Sequence, residues 1–471
     1  MKLNKKLDID TFIIISLPIL LILSFIILPE KEFLFSIGIF TGIFLYELII
    51  YSKRYVYGFS GLQILSPLSL IFFSFTVFIS LPSIYICSTE NNPAIYPYYF
   101  SIVIFYILFP IGLLLGNKIW GINIGRVKIL LNSDFQKSKF DSLFYEILIL
   151  FIAAGILVFL LYLMRVKTIP LLELIRNPGD YVRSMALRQE AYLLLKVTFI
   201  EKYLFLWERS IIMPIIIFVS LLLYLINRQK KFLIIFLVFL FIGLLFNSLT
   251  LEKSPTAAII LSLMALYYLR KKQIGVRFLF LSLFFIFLIP VLILYFQHLG
   301  HYNIYKLVYI TILGRVFITP TEVLYHHFEI FPQIHDFLGG RSTHLFSWLY
   351  NDGTFPLANY VARVWWQSPK TTFVANVIFI GNFWADFGFL GVIISSVFVG
   401  LIGHWYFWKI LSVSNYSKNI IYIIVVTISV PIFTFIFMGS NFTTIFFSRG
   451  VLVLIILLLI IEGLKKKTLV I

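Results

Sequence analysis

A few charged side chains interrupt long apolar sequence, and they are where this chain has chemistry to offer. In "FNSLTLEKSPTAAII" (residues 246–260), Glu252 and Lys253 separate two apolar runs. Pro255 suits a first helical turn and Ser254 its cap, so Lys253 and a helix N-terminus are placed to meet one anion. A plain polar hairpin accounts for the same residues. In "TTIFFSRGVLVLII" (443–456), Arg449 lies inside or just under the edge of an apolar run. A cation there faces a cavity or a partner, or snorkels to the interface. In "IGNFWADFGFLGVI" (380–393), Asp386 stands among apolar and aromatic residues. A break at Gly381-Asn382 predicts a short helix over 371–381 and a longer one from 386. Asp386 then sits at a helix N-terminus, where the dipole favours a carboxylate, and faces water or a cavity. N-capping alone explains it; its polar neighbours Asn376, Asn382 and Trp384 leave a substrate role open.

Six of the seven histidines fall within 298–344. The longer segment 298–385 and an earlier one, 165–207, hold Arg176, Arg183, Arg188, Arg315, Arg341 and Arg363, with Trp348, Trp365 and Trp366 in the longer segment. Each cation alone reads as part of a solvated face. As a set they point to an anionic ligand, because the planar guanidinium donates bidentate bonds to phosphate. The tryptophans either stack on sugar faces or form an interfacial belt. A general base for a hydroxyl has several candidates: Asp386, His344, His326, Glu322 and Asp352. "HLGH" (His298, His301) and "EVLYHHFE" (Glu322, His326, Glu329) hold metal-like spacings, but neither is the full set of three or four ligands that zinc needs. No metal or other cofactor is expected. Phosphate-loop, nucleophile-elbow and H-E-x-x-H motifs are missing from the sequence, against nucleotide and serine hydrolysis.

The elements that must position these groups follow from composition. The 471 residues are 61% hydrophobic and 13% charged, with a mean hydropathy of +0.99. An ordinary soluble domain is about a quarter charged. Long apolar runs that do not alternate predict helices rather than barrel strands. The fold class is therefore all-α, a polytopic integral membrane protein, with residues 1–471 as a single membrane domain. About twelve spans (eleven to fourteen) are expected: 11–29, 33–51, 62–86, 98–116, 143–164, 208–226, 232–250, 255–269, 278–297, 386–408, 419–438 and 445–463. The first reads as an uncleaved span rather than a signal peptide. Cys87 is the single cysteine, so no internal disulfide forms.

Net charge is +17. In a soluble chain that would suggest nucleic acid; here the positive-inside rule accounts for much of it, and no nucleic-acid partner is expected. Alternate connections hold 22 of the 38 Lys and Arg. That set is assigned to the cytoplasm, with both termini inside. The other set faces out and includes two large loops, 165–207 and 298–385, expected to carry amphipathic helices at the membrane.

Taken together, the middle "LEKSPTAAII", the late outer loop, "IGNFWADFGFLGVIISSVFVGLIG" and the final "FFSRG" resemble the oligosaccharide repeat unit polymerases of the O-antigen and enterobacterial-common-antigen type. The likeness covers roughly residues 140–465 and includes "IPLLELIRNPGDYVRSMALRQE" (169–190) as the first large outer loop. The family's Y-x-[DE]-F-G-x-x-G stretch matches Trp384, Asp386, Phe387, Gly388 and Gly391, with tryptophan for tyrosine. Lys253 stands where the family more often has arginine. Arg341 and Gly353 approximate an arginine-to-glycine spacing of related polymerases. The resemblance implies a GT-C-like, metal-independent glycosyltransferase of the bacterial cytoplasmic membrane. Its substrates are undecaprenyl-pyrophosphate-linked oligosaccharides in membrane lipid, and its implied partners are a flippase and a chain-length regulator. Under this reading Lys253, Arg315, Arg341, Arg363 and Arg449 contact pyrophosphate, and Arg183 and Arg188 are further substrate-binding arginines. Trp365 stacks on sugar, Trp384 is a further substrate-binding residue, and Asp386 or His344 is the base. An O-antigen ligase, a lipid-linked oligosaccharide flippase and a structural scaffold are the rival readings.

Overall fold

The computed structural model describes residues 9–59, 61–133, 141–191, 197–252, 254–271, 276–299, 303–343, 350, 353–366, 374–415, 419–441 and 443–468. They are helical nearly throughout, with no strand among them. Ten described helices are long and apolar enough to cross a membrane: Ile9–Ile27, Glu30–Tyr57, Pro67–Thr89, Ile95–Trp120, Tyr145–Arg165, Ile200–Asn227, Lys230–Leu249, Phe280–Gln297, Tyr305–Ile330 and Phe379–Ser414. Two shorter apolar helices follow, Ile420–Thr434 and Val451–Gly463. This is the architecture of a polytopic α-helical membrane protein.

Nine of the ten coincide with expected spans. The expected span 255–269 is the helix Ser254–Lys271, which equals the shortest of the ten at 18 residues but does not reach their apolarity. Tyr305–Ile330 was expected as loop, because Lys306, Arg315, Glu322, Glu329 and two histidines dilute its apolar character. Its C-terminal end meets a segment of the expected outer set. Glu329, at that end, accepts a bond from Asn92 Nδ2 at 3.2 Å.

The chain divides into two compact units. The first comprises 1–132, 315–409 and 433–445. Ile95–Trp120 and the later part of Phe379–Ser414 cross with their backbones in close approach. A Cβ on Gly112 would lie 2.1 Å from Val397 O, and one on Gly400 2.4 Å from Phe109 O. Only hydrogen at these positions lets the backbones approach, the usual device of packing in lipid. Contacts in this unit sort as the charge alternation requires. Lys31 Nζ donates to Ser88 O (3.0 Å) and Glu90 O (2.8 Å), all in the outer set. Phe59 N donates to Asp10 Oδ1 at 2.7 Å, and Lys128 lies 4.1 Å over the Tyr55 ring, all in the inner set.

The second unit comprises 133–314, 410–432 and 446–471. Ile420–Pro431 is buried at every position, as a helix apolar on all sides must be, and packs on Ser254–Lys271. Inner-set residues again meet, with Lys231 4.9 Å from the Tyr145 ring centre.

Candidate anion-binding site

In the second unit, four segments of the expected outer set converge on Glu252. Arg209 belongs to a π-helical turn, Glu208–Ile212, between Phe199–Trp207 and Met213–Asn227. Pro214 follows that turn; it lacks an N–H and its ring crowds the carbonyl four residues back, which favours a widened turn. The Arg209 guanidinium is only 7% exposed. Its Nη1 lies 2.5 Å from Glu252 Oε2, and its Nη2 donates to Thr250 Oγ1 at 2.9 Å. Asn247 Oδ1 accepts from Nε at 3.4 Å. Glu252 is presented by Leu251, whose φ of +56° reverses the chain after Lys230–Leu249. Leu251 is anchored by burial with Leu174 and Ile293.

Arg449 is brought in by two contacts of its own segment. Trp207 Nε1 donates to Phe447 O at 2.7 Å. Gly450, at φ +82°, packs so closely on Ile211 that a Cβ would lie 2.3 Å from its Cγ1. Arg449 Nε is buried with no hydrogen-bond partner among the described residues. Arg188 is carried by Tyr181–Glu190, whose first turn is capped by Asp180 accepting from Arg183 N at 2.9 Å. Burial tends to raise the Glu252 pKa, but Arg209, Arg188 and Arg449, with the Arg209 hydrogen bond, outweigh it and hold the carboxyl below the usual carboxylate range. Arg209 thus contacts the carboxylate directly, while Arg188 and Arg449 act on it through their charge. The surplus positive charge, partly out of water, is what a bound anion needs.

Of the expected site residues, Arg188 and Arg449 meet here. Arg209 was missed: beside Glu208 at the start of an apolar run, it read as a span's polar edge. The adjacent Glu208-Arg209 charges were its one sequence signal. Lys253 lies outside the described residues, as do His344, Trp348 and Asp352. Arg183 instead pairs with Glu173 at 2.6 Å while 57% exposed, a surface pair of small energetic weight.

Arg315, Arg341, Arg363, Trp365, Trp384 and Asp386 belong to the first unit. Arg315 and Arg363 are exposed. Arg341, Trp384 and Asp386 gather around the turn 338–343, but not as expected. The helix break is at Gly388 (φ +59°, ψ −142°) rather than at Gly381-Asn382. Breaking the helix there frees the carbonyls of Ala385 and Asp386, which accept instead from Leu338 N and Gly339 N, both at 2.9 Å. Asp386 therefore does not cap a helix or face water. It is 2% exposed, and its carboxylate accepts from Ser342 N (3.0 Å) and Ser342 Oγ (2.5 Å). The group holds the turn. Trp384 is likewise buried, with its Nε1 donating to Phe331 O at 3.0 Å and its ring 4.3 Å from Phe328; neither face is open to a sugar. Arg341 Nε donates to Leu338 O at 3.2 Å. Trp365 lies 4.4 Å from the His326 ring and 4.7 Å from Trp366, which is 42% exposed. His326 Nδ1 is 2.8 Å from Glu329 Oε2.

Compared with models of known families, with curated proteins and with solved structures, the chain matches none.

Proposed function

We propose that this chain polymerises polyprenyl-pyrophosphate-linked oligosaccharide repeat units at the outer face of the bacterial cytoplasmic membrane, with both termini in the cytoplasm. The observation that carries this reading is the convergence of Arg188, Arg209 and Arg449 on Glu252; the resemblance of the motif order to repeat unit polymerases supports it. In the reaction, a hydroxyl oxygen of the incoming unit attacks the anomeric carbon of the growing chain. The bond from that carbon to pyrophosphate breaks, and its electron pair leaves on the pyrophosphate oxygen. The hydroxyl proton passes to a base. Fixed cations that already face the leaving oxygen cost no reorganisation when its charge develops. Glu252 occupies that place in the ligand-free chain, and the pyrophosphate takes over its arginines. Arg209 thereby joins Arg188 and Arg449 as a substrate contact, while Arg183 serves its own ion pair.

The test is a surface-glycan ladder from a strain lacking the chain, complemented with wild type, Arg188→Ala or Arg449→Ala at matched membrane levels. The reading expects a single attached repeat unit without the chain, a full ladder with wild type, and a lost or shortened ladder with each variant. Full ladders from both variants overturn the site. Lipid-linked polymer accumulating outside with nothing attached means ligase, and units trapped inside mean flippase; either overturns the function.

A further inference from the structure

Beside the arginine cluster, within the same unit, a cavity of about 20 Å³ is lined by Tyr162, Lys202, Phe205, Arg209 and Phe246, among others. That is room for one particle the size of a water molecule. The charged lining is of one sign: Lys202 and Arg209 only donate, and among the described residues no acidic side chain lines the cavity, which leaves the Tyr162 oxygen as its one side-chain acceptor. Tyr162 supplies a second, independent sign. It is 3% exposed, and its hydroxyl is buried with no hydrogen-bond partner among the described residues. The ring cannot swing to find one. Phe205 and Phe246 stand nearly perpendicular to it, at 83° and 86°, with centroids 5.4 and 5.0 Å away. A buried hydroxyl left without a partner is costly, since it gave up water for nothing. A water here would leave its own hydrogens short of acceptors. An anion would accept from the Tyr162 hydroxyl and the Lys202 ammonium beside the already paired Arg209 guanidinium, and it would offset the cationic surplus of Arg188, Arg209, Arg449 and Lys202 over Glu252.

We propose that this cavity is a binding site for one small inorganic anion of halide size, held by Lys202, Arg209 and the Tyr162 hydroxyl. The site does not depend on the glycosyltransferase reading. It is tested on the purified full chain in detergent, by thermal unfolding at constant ionic strength as chloride replaces gluconate. An anion bound only to the folded state raises the unfolding temperature saturably. The expected result is such a rise for wild type. Tyr162→Phe and Lys202→Gln should each raise the half-saturating chloride concentration about tenfold, the loss of one charge-assisted hydrogen bond. Lys202→Gln carries the test if Tyr162→Phe does not fold. Equal unfolding temperatures in chloride and gluconate, as for a cavity holding only water, overturn the proposal. So does a chloride dependence unchanged in the variants. Inorganic pyrophosphate is the control arm. Stabilisation of wild type and both variants by pyrophosphate, with no response to chloride, sinks the cavity site and leaves the arginine site standing.

Discussion

Glu252 Oε2 lies 2.5 Å from Arg209 Nη1, and this pair joins the turn after Lys230–Leu249 to the π-helical turn at Glu208–Ile212. With Arg209 only 7% exposed and Glu252 13%, each needs the other. Removing one partner of a buried pair leaves an uncompensated charge and costs about 3–5 kcal/mol. Arg209→Ala and Glu252→Ala should each destabilise the protein on that scale, and the double variant should be more stable than the sum of the two losses implies. Denaturant unfolding of all four proteins measures the coupling. Additive losses would show that the two residues do not act as a pair.

The same pair sets an acid response. The folded pKa of Glu252 lies below its unfolded value, held down by Arg209, Arg188 and Arg449 against the effect of burial. Its contribution is therefore fully present above the ordinary carboxylate pKa of about 4.3. It is lost as pH falls through the folded value. Thermal midpoints measured from neutral pH downward should fall more steeply below about pH 4.3 for wild type than for Glu252→Gln. Parallel curves would contradict the assignment.

Asp386 is a positioning residue in this account. Asp386→Ala removes both bonds to Ser342 and should cost about 1–3 kcal/mol, with loss of the turn 338–343. Asp386→Asn keeps one acceptor and should lose less stability and retain polymerising activity. If Asp386→Asn is fully folded and inactive, the residue is a base rather than an anchor. Stability and activity assayed on the same preparations separate the two.

Gly388 makes that anchoring geometry. A side chain at φ +59°, ψ −142° is strained by about 1–3 kcal/mol, and a Cβ would meet the Phe337 ring at 3.0 Å. Gly388→Ala should therefore destabilise, while an alanine at Gly439, where a Cβ meets nothing within 4 Å, should be close to neutral. Comparable losses at both positions would mean that the kink is not what Gly388 provides.

These residues also mark what the sequence made legible. Apolar run lengths located nine of the ten long apolar helices, and the alternation of Lys and Arg sorted the loops into the two sets that meet in each unit. Arg449 stood out because charge inside apolar sequence is rare, and Arg188 only as one of a set of outer-loop arginines. Arg209 did not, since a charge at the start of a span looks like an interface anchor until Pro214 and the widened turn direct it inward. Gly381 and Gly388 are indistinguishable as letters. Only the backbone shows which one takes a positive φ, and with it whether Asp386 faces water or Ser342. Trp384 and Trp365 looked alike for the same reason; packing on Phe328 buries one, while the other lies on the partly exposed His326.

The central claim is that Arg188, Arg209 and Arg449 receive a pyrophosphate leaving group. Its most direct test is polymerisation of purified lipid-linked repeat units by the reconstituted chain, comparing kcat/KM of wild type with Arg188→Ala and Arg449→Ala. Losing one fixed donor to a developing oxyanion typically costs on the order of 10²–10³ in rate. The account predicts a loss of that order in each variant, with folding intact. Wild-type rates in both would contradict it.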